Sequence, residues 1–133
     1  MSGRVLAAVG LGAALGSVAR YVVSLAALHL LGPALPWGTL AANGLGSFVI
    51  GLFAALTEPG ARVKVSPEVR HFVLAGFCGG FTTFSIFSLE TLLLLEARRF
   101  GLAAAYVALS LALWLAAVWI GYAAGERANR LRP

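Results

Sequence analysis

Long apolar runs separated by short polar connectors dominate this chain. The runs cover residues 5–31, 37–57, 72–96 and 101–124. A helix needs about 20 predominantly apolar residues to cross the hydrocarbon core of a bilayer, and each run reaches that length. The pattern therefore predicts an all-α membrane protein in which residues 1–133 form a single domain of four transmembrane helices.

The third run carries glycine and hydroxyl side chains at its centre, where residues 76–90 read GFCGGFTTFSIFSLE. Glycine costs roughly 1 kcal/mol relative to alanine inside a helix, and threonine competes for backbone hydrogen bonds. We therefore expect the third helix to be broken near its centre. Non-helical backbone at membrane depth persists only where it is buried in protein or lines a water-filled cavity. Because the ends of broken membrane helices commonly face ions, this break is a candidate ion site.

The composition agrees with membrane embedding. Hydrophobic residues make up 60% of the chain and charged residues 11%, whereas soluble domains carry roughly 25% charged residues. The net charge of +5 could suggest a nucleic-acid partner. However, the basic residues cluster at the ends of the apolar runs and do not form one basic face, so we expect no nucleic-acid partner.

The distribution of basic residues predicts the orientation of the chain. Seven of the ten Lys and Arg residues lie at the two termini or in the connector 61–70, which four spans place on one side of the membrane. Two residues, Arg98 and Arg99, lie on the other side, and Arg20 lies inside the first run. Because basic loops tend to remain in the cytoplasm, this bias favours a cytoplasmic location for both termini.

Four helices of this length enclose little space, so we expect the chain to form an oligomer. Small residues spaced four apart allow helices to approach closely, and such pairs recur in the sequence. They are Gly12 with Gly16, Ser47 with Gly51, and Gly121 with Gly125.

Polar side chains inside the apolar runs are the candidates for chemistry. The second run places Thr39, Asn43 and Ser47 at i, i+4 and i+8, along one side of an otherwise apolar helix. A buried amide needs hydrogen-bond partners, and polar groups inside membranes commonly serve a function, which makes Asn43 the strongest candidate. The alternative interpretation is that Asn43 only joins two helices through a hydrogen bond.

Two phenylalanines and several hydroxyls lie at or after the predicted break. Phe84 and Phe87 are three residues apart and share a helix face. Their weakly positive ring edges could face a dehydrated anion, or the rings could simply pack against apolar neighbours. The hydroxyls of Thr82, Thr83 and Ser85 could donate hydrogen bonds to an ion or bond back to helix carbonyls.

The remaining polar positions are charged or aromatic. Arg20 stays protonated, so it either extends toward the interface or faces an aqueous cavity, where it would gather anions. Glu90 could accept hydrogen bonds from threonine or tyrosine hydroxyls, or lie at the interface. Tyr106 and Ser110 are four residues apart in the fourth run. The sequence contains no recognisable metal-ligand cluster, nucleophile–base pair or phosphate-binding loop, so we do not expect an enzyme.

Residues 76–90, the segment WGTLAAN at 37–43 and the segment GAALGSVARY at 12–21 together resemble the Fluc (CrcB) family of fluoride channels. The resemblance covers nearly the whole chain, and the block GGFTTFSIF at 79–87 is its most specific part. It implies a passive, fluoride-selective channel in the bacterial inner membrane that exports cytoplasmic fluoride and lowers its toxicity. It also implies an antiparallel, dual-topology dimer with a second copy of the chain, and two fluoride pathways along the subunit interface.

The resemblance also implies roles for particular residues. Arg20 would lie in the vestibule of the pathway. A structural sodium ion at the dimer centre would be bound by the backbone carbonyls of Gly79 and Thr82 from each subunit. The fluoride pathway would be lined by Asn43, Phe84, Phe87, Thr39, Thr83, Ser85, Tyr106, Ser110 and Glu90.

Two features depart from the family pattern. Dual topology requires a small bias of positive charge, whereas this chain has seven basic residues on one side against two on the other. Either the chain pairs with an oppositely oriented paralogous subunit, or assembly overrides the bias. In addition, Ile86 occupies a position where threonine would extend the polar track, so either one hydroxyl is missing or this side chain faces lipid.

Two other classes of protein compete with this interpretation. A small multidrug-resistance transporter is also short, four-helical and dimeric, but it depends on a membrane-embedded carboxylate in its first helix. The first run here contains Arg20 and no acidic residue. A non-transporting membrane subunit would leave Asn43 without a role in ion flux, and an Asn43 substitution that does not change the flux would favour it.

Overall fold

The structure is a computed structural model that describes residues 2–61 and 63–131. These residues form helices and short connections, with no strand among them. Four helical paths are long and apolar enough to cross a membrane, which confirms the predicted all-helical protein with four spans. The helices are α1 (Gly3–Leu31), α2 (Trp37–Leu56), α3 (Pro67–His71), α4 (Cys78–Phe81), α5 (Phe84–Glu96) and α6 (Phe100–Arg130), and a π-helical segment, Phe72–Phe77, joins α3 to α4.

Two helical paths extend beyond the apolar runs that predict them. The third helical path, Pro67–Glu96, comprises α3, the π-helical segment, α4 and α5. It begins ahead of residue 72 because the Ser66 side chain caps its first turn and proline fits that turn. α6 continues to Arg130, past residue 124, and its last turns include an ion pair of 3.6 Å between Arg130 and Glu126. Hydropathy identifies only the part of a helix that lies in hydrocarbon, whereas caps and i, i+4 pairs allow polar turns to continue outside it.

Thr82 and Thr83 lie between α4 and α5, and both have an extended backbone. The Thr82 N–H and hydroxyl both donate to the carbonyl oxygen of Cys78, at 3.0 and 2.8 Å, which completes the last turn of α4. The Thr83 hydroxyl accepts a hydrogen bond from the N–H of Ile86 at 3.2 Å and so caps the first turn of α5. One threonine therefore ends a helix, and the next one begins another.

Glycines bring α2 and α6 into backbone contact. A Cβ atom on Gly51 of α2 would overlap the carbonyl oxygen of Val118 in α6, and a Cβ atom on Gly121 of α6 would overlap that of Phe48 in α2. Such close approach is the usual reason for small residues at the interfaces of membrane helices.

A second set of glycines joins α1 to the third helical path. Cβ atoms on Gly12 and Gly16 of α1 would overlap backbone carbonyl oxygens of the π-helical segment, and one on Gly80 of α4 would overlap that of Ala13. The small-residue pairs in α1 and α6 therefore serve packing within the chain, and they carry no information about the oligomer that we expected them to support. Spacing identifies a surface for close packing but not the helix that will occupy it.

The bundle is apolar on the outside and polar in part of its interior. Large side chains such as Leu11, Val18 and Leu115 are exposed, which suits contact with lipid because hydrocarbon tails are as apolar as leucine. The small apolar core is the cluster of Leu40, Phe87 and Tyr106. The polar side chains of Thr39, Asn43 and Ser110 are also buried.

Candidate functional site

Asn43 of α2 binds the backbone between α4 and α5. Its Nδ2 donates to the Thr83 carbonyl oxygen at 2.9 Å, and its Oδ1 accepts from the Thr83 N–H at 2.7 Å. The side chain is buried, and its Oδ1 replaces the carbonyl acceptor that a continuous helix would give the Thr83 N–H. The expectation that Asn43 needs partners is met by a contact between helices. A side-chain amide has two N–H donors. One of them bonds to Thr83, and the second could donate to another acceptor.

Glu90 of α5 holds two hydroxyls from neighbouring helices. Thr39 of α2 donates to Glu90 Oε1 at 2.8 Å, and Tyr106 of α6 donates to Glu90 Oε2 at 2.6 Å. Thr39 and Tyr106 are both buried. The expectation that Glu90 accepts from threonine or tyrosine hydroxyls is confirmed, and the carboxylate ties three helices together.

Arg20 of α1 is half-buried and lines a half-open cavity of the protein. Its Nε–H donates to the carbonyl oxygen of Gly80 at 3.2 Å, and the hydroxyl of Ser17, one turn earlier, lies 3.5 Å from the same oxygen. Arg20 also lines a cavity of about 420 Å³, together with Thr39, Thr83, Glu90 and residues of α1. Of the two interpretations of this arginine, the structure supports the one in which it faces a cavity. This cavity is called the Arg20 cavity below.

Two further cavities adjoin the first. The Asn43 cavity, of about 320 Å³, is lined by Asn43, Thr83 and other residues of α2 and of the third helical path. The Arg99 cavity, of about 380 Å³, is lined by Glu90, Arg99 and apolar residues. Thr83 lines both the Arg20 and the Asn43 cavities, and Glu90 lines both the Arg20 and the Arg99 cavities. The structure therefore contains three mainly apolar spaces, and neighbouring spaces share one of these two polar side chains.

The two phenylalanines differ in their surroundings. Their ring centroids lie 5.5 Å apart, but Phe87 is 6% exposed and Phe84 is 69% exposed. Phe87 packs against Tyr106 and Trp114, with centroid distances of 5.3 and 4.9 Å. Phe84 lines the Asn43 cavity. Phe87 therefore packs in the apolar core, and Phe84 is the ring that is open to a cavity or to a neighbouring molecule.

The hydroxyls proposed for the pathway do not all lie together. Ser110 is completely buried, whereas Ser85 is exposed and its Oγ lies 3.3 Å from Thr83 Oγ1. Trp114, four residues after Ser110, was not selected from the sequence, although it lines the Asn43 cavity. The spacing of Tyr106, Ser110 and Trp114 at i, i+4 and i+8 is the signal that could have identified it.

The carbonyls of Gly79 and Thr82 have lost their usual helical donors. In a continuous helix these donors would be the N–H groups of Thr83 and Ile86. The Thr83 N–H instead bonds to Asn43 Oδ1 at 2.7 Å, and the Ile86 N–H bonds to Thr83 Oγ1 at 3.2 Å. Two backbone oxygens of the third helical path are therefore available to another partner, and oxygen is the ligand type that hard cations prefer.

These features define a class of protein: a small, four-span membrane protein in which buried polar side chains and adjoining cavities lie within an apolar exterior. The family described as "CrcB-like protein, Camphor Resistance (CrcB)" matches residues 7–122 of the chain. The chain belongs to this family.

Several curated relatives match nearly the whole chain. A protein of Opitutus terrae named "Fluoride-specific ion channel FluC" is 49% identical over 124 residues, which cover 93% of this chain and 94% of the relative. A Bradyrhizobium diazoefficiens protein named "Fluoride-specific ion channel FluC 1" is 47% identical and covers 93% of this chain and 86% of its own length. A Rhizobium etli protein with the first of these names is 50% identical over 115 residues, or 86% of this chain and 90% of the relative.

Proposed function

We propose that the protein is a passive, fluoride-selective ion channel that lets cytoplasmic fluoride leave the cell and so lowers fluoride toxicity. Its similarity to proteins named as fluoride-specific ion channels, at 47–50% identity over most of the chain, supports this function. In the structure, the observation that carries the proposal is a series of three cavities in which neighbouring cavities share Thr83 or Glu90 as a lining residue. A channel needs space of this kind along the path of its ion, and a purely structural membrane subunit does not.

Hydrogen-bond donors along this route would replace the water that fluoride holds tightly. Arg20 would gather the anion in its cavity, because its Nε–H is held by Gly80 and the guanidinium has four further N–H donors. The second N–H of Asn43 would donate a hydrogen bond to fluoride further along the route, near Thr83, which lines both the Arg20 and the Asn43 cavities. Chloride is larger and would fit poorly between these fixed donors.

Glu90 would organise the route rather than bind the anion. A carboxylate alone would repel fluoride, but here both oxygens accept hydrogen bonds from the buried hydroxyls of Thr39 and Tyr106. These bonds hold three helices in one arrangement at the wall between the Arg20 and Arg99 cavities. Phe84 and Phe87 follow Thr83 on α5, and Phe84 is the ring that would present its edge to an ion or to a second subunit.

The working unit would be an antiparallel dimer in the bacterial inner membrane, in which the interruption at Thr82 and Thr83 breaks the third span near its centre. Gly79 supports this arrangement, because it is exposed and no heavy atom of the chain lies within 4 Å of the Cβ position on it. The paired carbonyls of Gly79 and Thr82 from two subunits fit a hard cation such as Na⁺. When bound, the ion would balance the negative ends of the carbonyl dipoles at the dimer centre.

The competing transporter class finds less support in this chain. A small multidrug-resistance transporter would need a carboxylate in its first helix. By contrast, α1 contains no acidic residue, and the charged side chain within its apolar run is Arg20. Because a channel moves ions without a chemical reaction, no catalytic role is assigned to any residue.

Fluoride efflux from liposomes tests the proposal. The purified chain alone would be reconstituted, and efflux would be followed with a fluoride electrode, with chloride as the control ion. We expect rapid fluoride efflux and little chloride efflux. Failure of the folded protein to release fluoride, both alone and together with an oppositely oriented paralogous subunit, would contradict the proposed function.

A further inference from the structure

Two buried donors in α6 have no hydrogen-bond partner. The hydroxyl of Ser110 and the indole Nε1–H of Trp114 are both buried, and neither bonds to any atom of residues 2–61 or 63–131. Buried polar groups are nearly always paired in folded proteins. The two donors are therefore candidates for a hydrogen bond to an ion or a water molecule.

Both donors lie on the same side of α6 as Tyr106. Tyr106, Ser110 and Trp114 are spaced by four residues and share one face of the helix. Tyr106 is bonded to Glu90, whereas Trp114, eight residues later, lines the Asn43 cavity. The row of donors on α6 therefore leads from the wall at Glu90 to the space beyond Asn43.

The chemistry of the indole group restricts the ligand. Indole Nε1–H donates and has no acceptor, so its partner must be an acceptor such as an anion or the oxygen of a water molecule, and a cation cannot satisfy it. The indole ring packs against Phe87 at a centroid distance of 4.9 Å and an interplanar angle of 74°, which holds its N–H in one direction. Asn43 and Ser47 line the same cavity of about 320 Å³ as Trp114, so polar side chains of α2 and the indole ring border one space.

We propose that the indole N–H of Trp114 binds fluoride in transit and extends the row of donors by one helical turn beyond Ser110, into the Asn43 cavity. The inference rests on the proposed fluoride-channel function and adds a binding residue to it. Packing against Phe87 keeps the donor oriented before the ion arrives, so little ordering accompanies binding.

A conservative substitution tests the effect on transport. Trp114→Phe removes the N–H and keeps an aromatic ring, so the contact with Phe87 persists. We expect it to slow fluoride efflux by about tenfold, because a hydrogen bond to an ion is lost. The matched control is Trp119→Phe on the same helix, since Trp119 is 71% exposed and lines none of the three cavities, and its efflux should equal that of the unmodified chain.

A binding measurement tests the donor directly. The chain has three tryptophans, so ¹⁵N-labelled protein should give three indole N–H resonances, which single Trp→Phe variants assign. In the unmodified protein, we expect the Trp114 resonance to shift saturably with fluoride and to stay in place with chloride at the same ionic strength. The resonance of Trp119 should not respond to either anion. If Trp114→Phe does not fold, the Trp114 resonance of the unmodified protein is assigned by elimination from the other two tryptophans. The fluoride titration of that resonance then still tests the inference.

The outcomes separate this inference from the proposed function. Fluoride efflux by the unmodified protein, with a static Trp114 resonance, would show that water alone serves the indole and would overturn the inference, even if Trp114→Phe slowed transport through altered packing. A fluoride-dependent shift in a protein that transports no fluoride would support an anion site at Trp114 and contradict the channel function.

Discussion

The side-chain amide of Asn43 makes two hydrogen bonds to the backbone of Thr83, which lies outside both α4 and α5. The bonds run between residues that are 40 positions apart, so they join α2 to the third helical path at the level of the cavities. A side chain of similar size without polar atoms could fill the same volume but could not satisfy that backbone. The amide is therefore required for the local structure as well as for the proposed route.

Asn43→Leu is expected to lower both stability and transport. The Thr83 N–H would lose its partner, and a buried unpaired donor costs about 1–3 kcal/mol. The thermal midpoint of the detergent-solubilised protein should fall, and fluoride efflux from liposomes should be nearly abolished. Leu45→Ala, at an exposed position of the same helix, should change the midpoint much less. An Asn43→Leu protein with unchanged efflux would instead favour the non-transporting subunit.

At the scale of helices, glycine positions determine which elements can touch. The contact of α2 with α6 brings the backbones together at Gly51 and Gly121, whereas α1 contacts the third helical path through its own glycines. The π-helical segment, Phe72–Phe77, lies within that second contact, and a Cβ atom on Gly12 would overlap the Phe72 carbonyl oxygen. These two contacts determine the relative positions of the helices that carry the polar side chains.

A pair of glycine substitutions on α6 tests the contact with α2. Gly121→Ala would place a methyl group against the Phe48 carbonyl oxygen, and such overpacking costs about 1–3 kcal/mol. Gly101→Ala has no neighbouring heavy atom within 4 Å, so it should be neutral or slightly stabilising because alanine favours a helix. Thermal unfolding in detergent would measure both, and equal midpoints for the two variants would contradict the close contact.

At the scale of the whole molecule, the polar interior and the apolar exterior leave most large hydrophobic side chains available to lipid or to a second subunit. The seven-to-two distribution of basic residues favours one orientation, whereas the proposed antiparallel dimer needs both. In such a dimer, the free energies of charge placement and of subunit contact would therefore oppose each other. Which one is larger determines whether the chain works alone.

Cysteine labelling in whole cells measures the orientation. In a Cys78→Ala background, Val63→Cys reports on the connector between α2 and α3, and Ala97→Cys reports on the connector between α5 and α6; both positions are exposed. For an antiparallel homodimer, we expect a membrane-impermeant thiol reagent to label the two variants to similar extents. Labelling of Ala97→Cys alone would mean that the charge bias prevails and that an oppositely oriented partner chain is needed.

The four spans could be derived from the sequence because hydropathy is a local property. In lipid, each helix satisfies its own backbone hydrogen bonds, so a run of about 20 apolar residues is enough to specify a span. The sequence also marked Asn43 as an amide that needs partners, and it offered threonine or tyrosine hydroxyls as partners for Glu90. It placed the end of the last helix at residue 124 rather than at Arg130, because polar turns outside the bilayer carry no hydropathy signal.

Only the tertiary structure decided which groups meet. The pairing of Asn43 with Thr83, the exposure of Phe84 beside a buried Phe87, and the place of Trp114 on the Asn43 cavity all depend on which helix faces pack together. The helical periodicity of a sequence indicates that two residues share a helix face, but it does not indicate which other helix packs against that face. Close contacts at glycines select one neighbour among them, and this selection brings polar residues of different helices into contact.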